Sequence, residues 1–161
     1  MKGLVMGWFG KKKEWDLQKS DANKNKLRAL FNGVMEDGDS WNIIYGFSED
    51  ISTTGYVIVR KTTYTYASLI IGYRESDMSL VVIETTPELD ACGEPTLYTR
   101  DAIKKTKITM GAYVLYKQGG MMAGYTSFSA QEGNDDKYLA YIYQPEEMKR
   151  FNEFFKGYGK K

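Results

Sequence analysis

Apolar and polar positions alternate in short segments over most of this chain, and the period changes only at its two ends. From Trp41 to Phe47, Trp41, Ile43 and Tyr45 fall on one face of a strand. Tyr56 to Arg60 and Thr63 to Tyr73 are β-branched and aromatic almost throughout, with a bend expected at Lys61-Thr62. Glu75-Ser76-Asp77 turns the chain into Met78 to Thr85. There the near-continuous apolar run predicts a central strand covered on both faces. Pro87 to Pro95 is the longest irregular stretch, and Leu97 to Ile108 mixes apolar positions with basic ones. Ala112, Val114 and Tyr116 form the next alternating set. Gln118-Gly119-Gly120 makes a hairpin connection, and Met122, Gly124, Thr126 and Phe128 lie on the return. Glu132 to Asp136 reads as an exposed turn and Tyr138 to Tyr143 as the last strand.

The ends have a helical period. Leu27, Leu30, Phe31, Val34 and Met35 form one stripe, which predicts a helix over about 21–36 capped by Ser20 or Asp21. After Pro145, Met148, Phe151, Phe154, Phe155 and Tyr158 recur at helical spacing. Glu146 and Glu147 in the first turn and Lys156 in the last suit the helix dipole, which predicts a helix over about 146–158. The expected organisation is a basic leader over 1–20 followed by one domain over 21–161. Its class is mostly β (α+β), a bent antiparallel barrel or sandwich with an N-terminal helix and a C-terminal helix capping the sheet.

That order of elements resembles the pleckstrin-homology-like (PH-like) superfamily. The ending Lys137 to Tyr143 followed by Pro145 to Phe155 looks like that family's last strand and terminal helix. Asp101 to Ile108 is similar to the segment before the last three strands in its bacterial members. The resemblance covers roughly Trp41 to Tyr158, and the helix before it is an addition to the family's minimal fold. It implies a bent barrel of about seven strands acting as a platform for lipid headgroups, peptides or proteins. In lipid-binding members basic residues of the first strands carry the site. Arg60 and Lys61 occupy such a place here, but Glu49 and Asp50 precede them, so lipid binding does not transfer.

Composition narrows the chemistry. The 161 residues contain no histidine and a single cysteine, Cys92, with a net charge of +1. Without histidine a His-based triad or zinc site is not expected, and one cysteine forms no internal disulfide. No catalytic, metal or cofactor residue is assigned. Charge is uneven: Met1 to Leu30 carries 8 basic and 3 acidic residues, whereas Phe31 to Pro145 carries 9 basic and 15 acidic. In the leader Trp8, Phe9 and Trp15 flank Lys11, Lys12 and Lys13, an arrangement suited to weak contact with an anionic membrane surface. The apolar patch precedes the charge, unlike a secretory signal, so a cytoplasmic location is expected, with the start at Met1 or Met6 left open.

Four further groups draw attention. Arg100, Lys104, Lys105 and Lys107 form a basic patch that Tyr98, Tyr113 and Tyr116 would interleave, although the near-neutral chain argues against nucleic acid. Glu132, Asn134, Asp135 and Asp136 are oxygen-rich but lack calcium-loop spacing. Asp90, Cys92 and Glu94 share the long loop, where no histidine exists to activate the thiol. Met110, Met121, Met122 and Tyr125 suit a ligand groove or an interface. The expected function is a cytoplasmic, non-catalytic binding module with a protein or peptide partner, self-association included. Membrane-surface association is the alternative, and a carboxylate, Tyr or Lys acid–base enzyme a remote third.

Overall fold

The computed structural model describes residues 14–48, 66–119 and 122–159, together with the backbone of two short leader strands, β1 (Met6–Gly7) and β2 (Gly10–Lys11). Helix α1 (Leu17–Val34) begins earlier than its apolar stripe suggests. Asp16 is the N-cap, its Oδ1 accepting the Lys19 N–H at 3.1 Å. Ser20 is therefore interior to the helix. Its buried hydroxyl accepts from Tyr143 N and donates to Tyr143 O, tying α1 to the chain near its C-terminus. Trp15 stacks on Tyr143, and the helix begins at Leu17 and not at about residue 21.

Seven strands follow: β3 (Asn42–Ser48), β4 (Ala67–Arg74), β5 (Ser79–Thr85), β6 (Thr96–Tyr98), β7 (Ile103–Thr109), β8 (Ala112–Lys117) and β9 (Tyr125–Ser129). They form one antiparallel sheet in the order β6-β5-β4-β3-β9-β8-β7. The sheet is a four-stranded meander and a three-stranded meander, joined at a single ladder pair, Phe47 with Ser129. The outermost strands β6 and β7 are consecutive in the chain, linked only by residues 99–102. Flat, those edges would lie about 29 Å apart at ~4.8 Å per strand, but the link reaches at most about 18 Å. The sheet must therefore curl. Its edges do not pair, so the barrel alternative is corrected and the arrangement is an open sandwich.

Helix α2 (Pro145–Tyr158) fills the inside of the curl. Met148, Phe151, Phe154, Phe155 and Tyr158 are all buried against Ile44, Leu69, Tyr73 and Leu80 of one meander and Ile103, Tyr113, Leu115 and Phe128 of the other. Burying each such phenylalanine contributes about 1.5–3 kcal/mol. On the outer face of the four-stranded meander, Leu27 and Phe31 of α1 pack on Trp41, Tyr45, Ile70, Val81 and Ile83, with Ala140 and Ile142 beside them. β5 is buried along its whole length because both layers cover it, as its apolar run predicts.

Other details depart from the pattern. In β8 the core-facing residues are Tyr113 and Leu115, the complement of the Ala112, Val114, Tyr116 set. The expected strand at 138–143 shrinks to β11 (Ile142–Tyr143), paired with β10 (Gly133–Asn134). Residues 137–138 turn instead, and the aromatic rings that suggest a strand serve as a platform: Trp15 stacks on Tyr143 at 4.9 Å and leans on Tyr141 at 5.3 Å. The supposed exposed turn at 132–136 thus contains a strand residue, Asn134, that is 2% exposed. The expected strand at Tyr56 to Arg60 lies outside the described residues.

Candidate functional site

The edge strand β7 gathers most of the cations that the sequence places in one patch. Its pairing with β8 sets Lys105 opposite Tyr116, Lys107 opposite Val114 and Ile108 opposite Tyr113. Tyr113 faces the core, so Ile108 lies on the inner side, and Lys105 and Lys107 on the outer one. Lys104 sits where the register shifts, a bulge of the kind that marks strand edges. Lys104, Lys105, Lys107 and Ile108 are all exposed, Ile108 at 46%. The Lys105 ammonium lies 5.0 Å from the Tyr116 ring centre, and Tyr116 is 6.0 Å from Tyr125, which is half exposed. Among the described residues no strand pairs with the other side of β7.

The rest of the expected patch disperses. Arg100 turns inward, Nη2 donating to Gly157 O at 3.0 Å, where it satisfies a carbonyl near the C-terminal end of α2. Tyr113 stacks on Phe128 in the core, and Tyr98 is buried with its carbonyl accepting the Tyr158 hydroxyl. Only Tyr116 interleaves with a lysine. Met110 and Met122 are fully exposed at opposite ends of the β7-β8-β9 meander, so they line no common groove. Met110 stands with Gly111 in the two-residue β7–β8 turn, both at positive φ (50° and 82°). Met121, Arg60, Lys61, Trp8, Lys12 and Lys13 lie outside the described residues, and Lys11 is described only as backbone. Trp15 is half-buried in its stack with Tyr143.

The loop groups act locally. Asp90 accepts from the Thr86 hydroxyl, which in turn accepts the Asp90 N–H. Cys92 bridges back to Thr85 and packs beside α1, and burial pushes its thiol up, which disfavours the reactive thiolate. Among the described residues no group of three or more His, Cys, Asp or Glu is placed to hold a metal ion. Nor is any helix there long and apolar enough to cross a membrane. Asn134, Asp135 and Asp136 line a cavity of about 250 Å³ with Phe47 and Tyr66, and neither side-chain polar atom of Asn134 has a partner.

One concavity was not foreseen. A cleft of about 340 Å³ opens between α1, the start of β3 and the start of α2. Lys24 and Arg28 come from α1, Glu147 and Arg150 from α2, and Gln144 is buried at its edge. Lys24 pairs with Glu147 at 2.6 Å and Arg150 with Glu75 at 2.7 Å. Arg28 donates to the carbonyls of Gly38 and Trp41. The α1 pair Lys24 and Arg28 and the α2 pair Glu147 and Arg150 lie more than a hundred positions apart in the chain, and their charges carry no local motif. No protein-family model, curated protein or solved structure matches this chain.

Proposed function

We propose that this chain is a cytoplasmic, non-catalytic binding module that takes an extended segment of another protein as an added strand on β7. The observation that carries the reading is the seven-residue edge of β7, which among the described residues pairs on one side only and is studded with lysines. A strand edge offers a row of backbone donors and acceptors, and strand addition uses them for affinity while side chains set specificity. Lysines at an edge suppress pairing between identical copies, because two such strands would bring like charges together. They favour a partner whose outward side chains are acidic. The reading therefore selects a heterologous acidic segment over self-association. A four-stranded meander, a three-stranded meander and a terminal helix inside the curl also support the PH-like resemblance.

The test is amide hydrogen exchange of the whole chain with an alternating Glu/Val peptide, and with its Lys/Val counterpart as control. The expected result is new protection of β7 amides with the acidic peptide only, diminished in Lys105→Glu/Lys107→Glu. Absence of β7 protection by the acidic peptide, or a dimer in light scattering whose β7 amides are protected without peptide, overturns it.

A further inference from the structure

The backbone along β3 shows a second recognition feature, independent of β7. Residues two apart in a strand direct their N–H and C=O groups to the same edge. On the edge of β3 away from β4, Phe47 pairs with Ser129 of β9. Two residues earlier β9 is gone, and the Gln144 side chain takes its place: Oε1 accepts Tyr45 N–H at 2.9 Å and Nε2 donates to Tyr45 C=O at 2.8 Å. Two residues earlier again, Ile43 directs its N–H and C=O to that edge, where among the described residues no strand pairs with it. Ile43 lines the 340 Å³ cleft. Around it stand three cations, Lys24, Arg28 and Arg150, with Glu147 in the lining and Glu75 bonded to Arg150 from beyond it.

We infer that this cleft binds an amide linked to a carboxylate, the group found at the carboxyl end of an extended peptide and in a free N-acyl amino acid. The ligand amide extends the ladder at Ile43 as Gln144 does at Tyr45. The carboxylate lies among Lys24, Arg28 and Arg150. Lys24 and Arg150 have donors beyond those used on Glu147 and Glu75, because an ammonium has three N–H groups and a guanidinium five. The volume is at the lower end of small-ligand pockets, which run to about 300–1,000 Å³. That suits one or two residues of chain and excludes a folded partner. Arg28 is committed to two carbonyls, so it contributes charge and holds the wall in place.

The experiment is a ¹⁵N NMR titration of the full chain, read at the Ile43 amide. The probes are N-acetyl-alanyl-alanine, its carboxamide, and a ten-residue peptide ending in the same two residues. The acid form is expected to shift Ile43 saturably, and the carboxamide to bind about tenfold or more weakly, since charge-assisted hydrogen bonds are lost. Arg150→Gln weakens the acid form by a similar factor, whereas Glu147→Gln, which removes the opposing charge and frees Lys24, strengthens it. Both positions are partly exposed ion pairs whose loss leaves the fold intact. Equal affinity for the acid and decapeptide supports the site with a small free ligand as the source. Tighter decapeptide binding supports it with a chain terminus as the source. No saturation at roughly 10 mM probe, or acid and amide forms that bind alike, overturns the inference. Neither result bears on β7, whose amides report separately.

Discussion

Replacing Phe151 by alanine tests the central packing argument. Phe151 is fully buried, and its ring centre lies 5.3 Å from Tyr73 in β4, 5.1 Å from Tyr113 in β8 and 6.1 Å from Phe128 in β9. Those partners belong to both meanders, which share only one ladder pair. The side chain is thus a joint between two sheets that hydrogen bonding alone scarcely connects. A buried Phe→Ala substitution costs about 3–5 kcal/mol, the transfer loss plus the cavity. The higher end applies here, because the ring's neighbours are on elements held apart by the ring itself and collapse poorly. Against a total stability of about 5–15 kcal/mol, that is a large share. With a urea m-value of about 2 kcal/mol per M, the midpoint falls by roughly 1.5–2.5 M. Equilibrium unfolding followed by tryptophan fluorescence and far-UV circular dichroism measures it. Trp41 reports on the face opposite α2, so loss of the joint should separate the two transitions. Val34→Ala, on the exposed face of α1, is the control and should change stability by less than about 0.5 kcal/mol. A loss below about 1 kcal/mol in Phe151→Ala refutes the packing argument.

Gly72→Ala should destabilise by about 1–3 kcal/mol in urea unfolding, because its Cβ would stand 2.6 Å from the Phe31 ring and 2.7 Å from Val81 Cγ1; combining it with Phe31→Leu should recover part of the loss. Met110→Asn should raise the thermal midpoint, adding about 0.5–1 kcal/mol, since Asn tolerates the left-handed turn position better than Met; an unchanged or lower midpoint counts against it. Gln144→Leu should cost at least about 2 kcal/mol, leaving the Tyr45 N–H and C=O buried without partners; a near-neutral urea midpoint contradicts the stitch. Burial pushes the Tyr73 hydroxyl up to about 12 and raises Tyr45, Tyr113 and Tyr158 as well. Stability from these neutral rings is full below pH ~10, where unfolded tyrosine begins to ionise, and falls as pH rises toward 12. Tyr73 alone accounts for roughly 2 kcal/mol of that loss by pH 12. Tyrosinate absorbance with urea midpoints measured from pH 9 to 12 checks it, and a flat profile refutes it.

What was legible in the sequence follows from the reach of each signal. The α2 stripe is readable because one helix buries five large side chains at a strict period, and β5 because both its faces are apolar. Ser20 and Asp21 read as caps because they lie nearer the apolar stripe, whereas the cap is Asp16. The stripe marks where α1 touches the sheet and not where the helix begins. The β7–β8 turn was hidden because Met110 is a poor turn residue, and Gly111 was the only clue. Tyr138 to Tyr143 misled because rings at alternate positions look the same whether they cover a sheet or receive Trp15. The lysines of β7 were visible as a local run. The cleft was not, because Lys24, Arg28 and Arg150 meet only once α1 and α2 have docked on opposite sides of β3.

The incomplete pairing of the sheet explains why cations gather at particular edges although the whole chain carries only +1. Among the described residues, unpaired strand backbone includes the outer edge of β7 and the start of β3 beyond β9. An exposed edge invites unwanted strand pairing, and cations beside it are one means of suppressing that. Lys104, Lys105 and Lys107 stand at the first edge, and Lys24, Arg28 and Arg150 around the second. The acidic excess of residues 31–145 lies largely in turns and loops, as at Glu75, Asp77, Asp90, Asp135 and Asp136. Charge of one sign is thus concentrated where hydrogen-bonding capacity is unspent, and charge of the other where the backbone is already turned on itself. On the proposed readings, the same cations would discourage a second copy of this chain and attract an acidic strand or a carboxylate. Raising the salt concentration should therefore weaken ligand capture at both edges while making self-pairing through β7 less unfavourable.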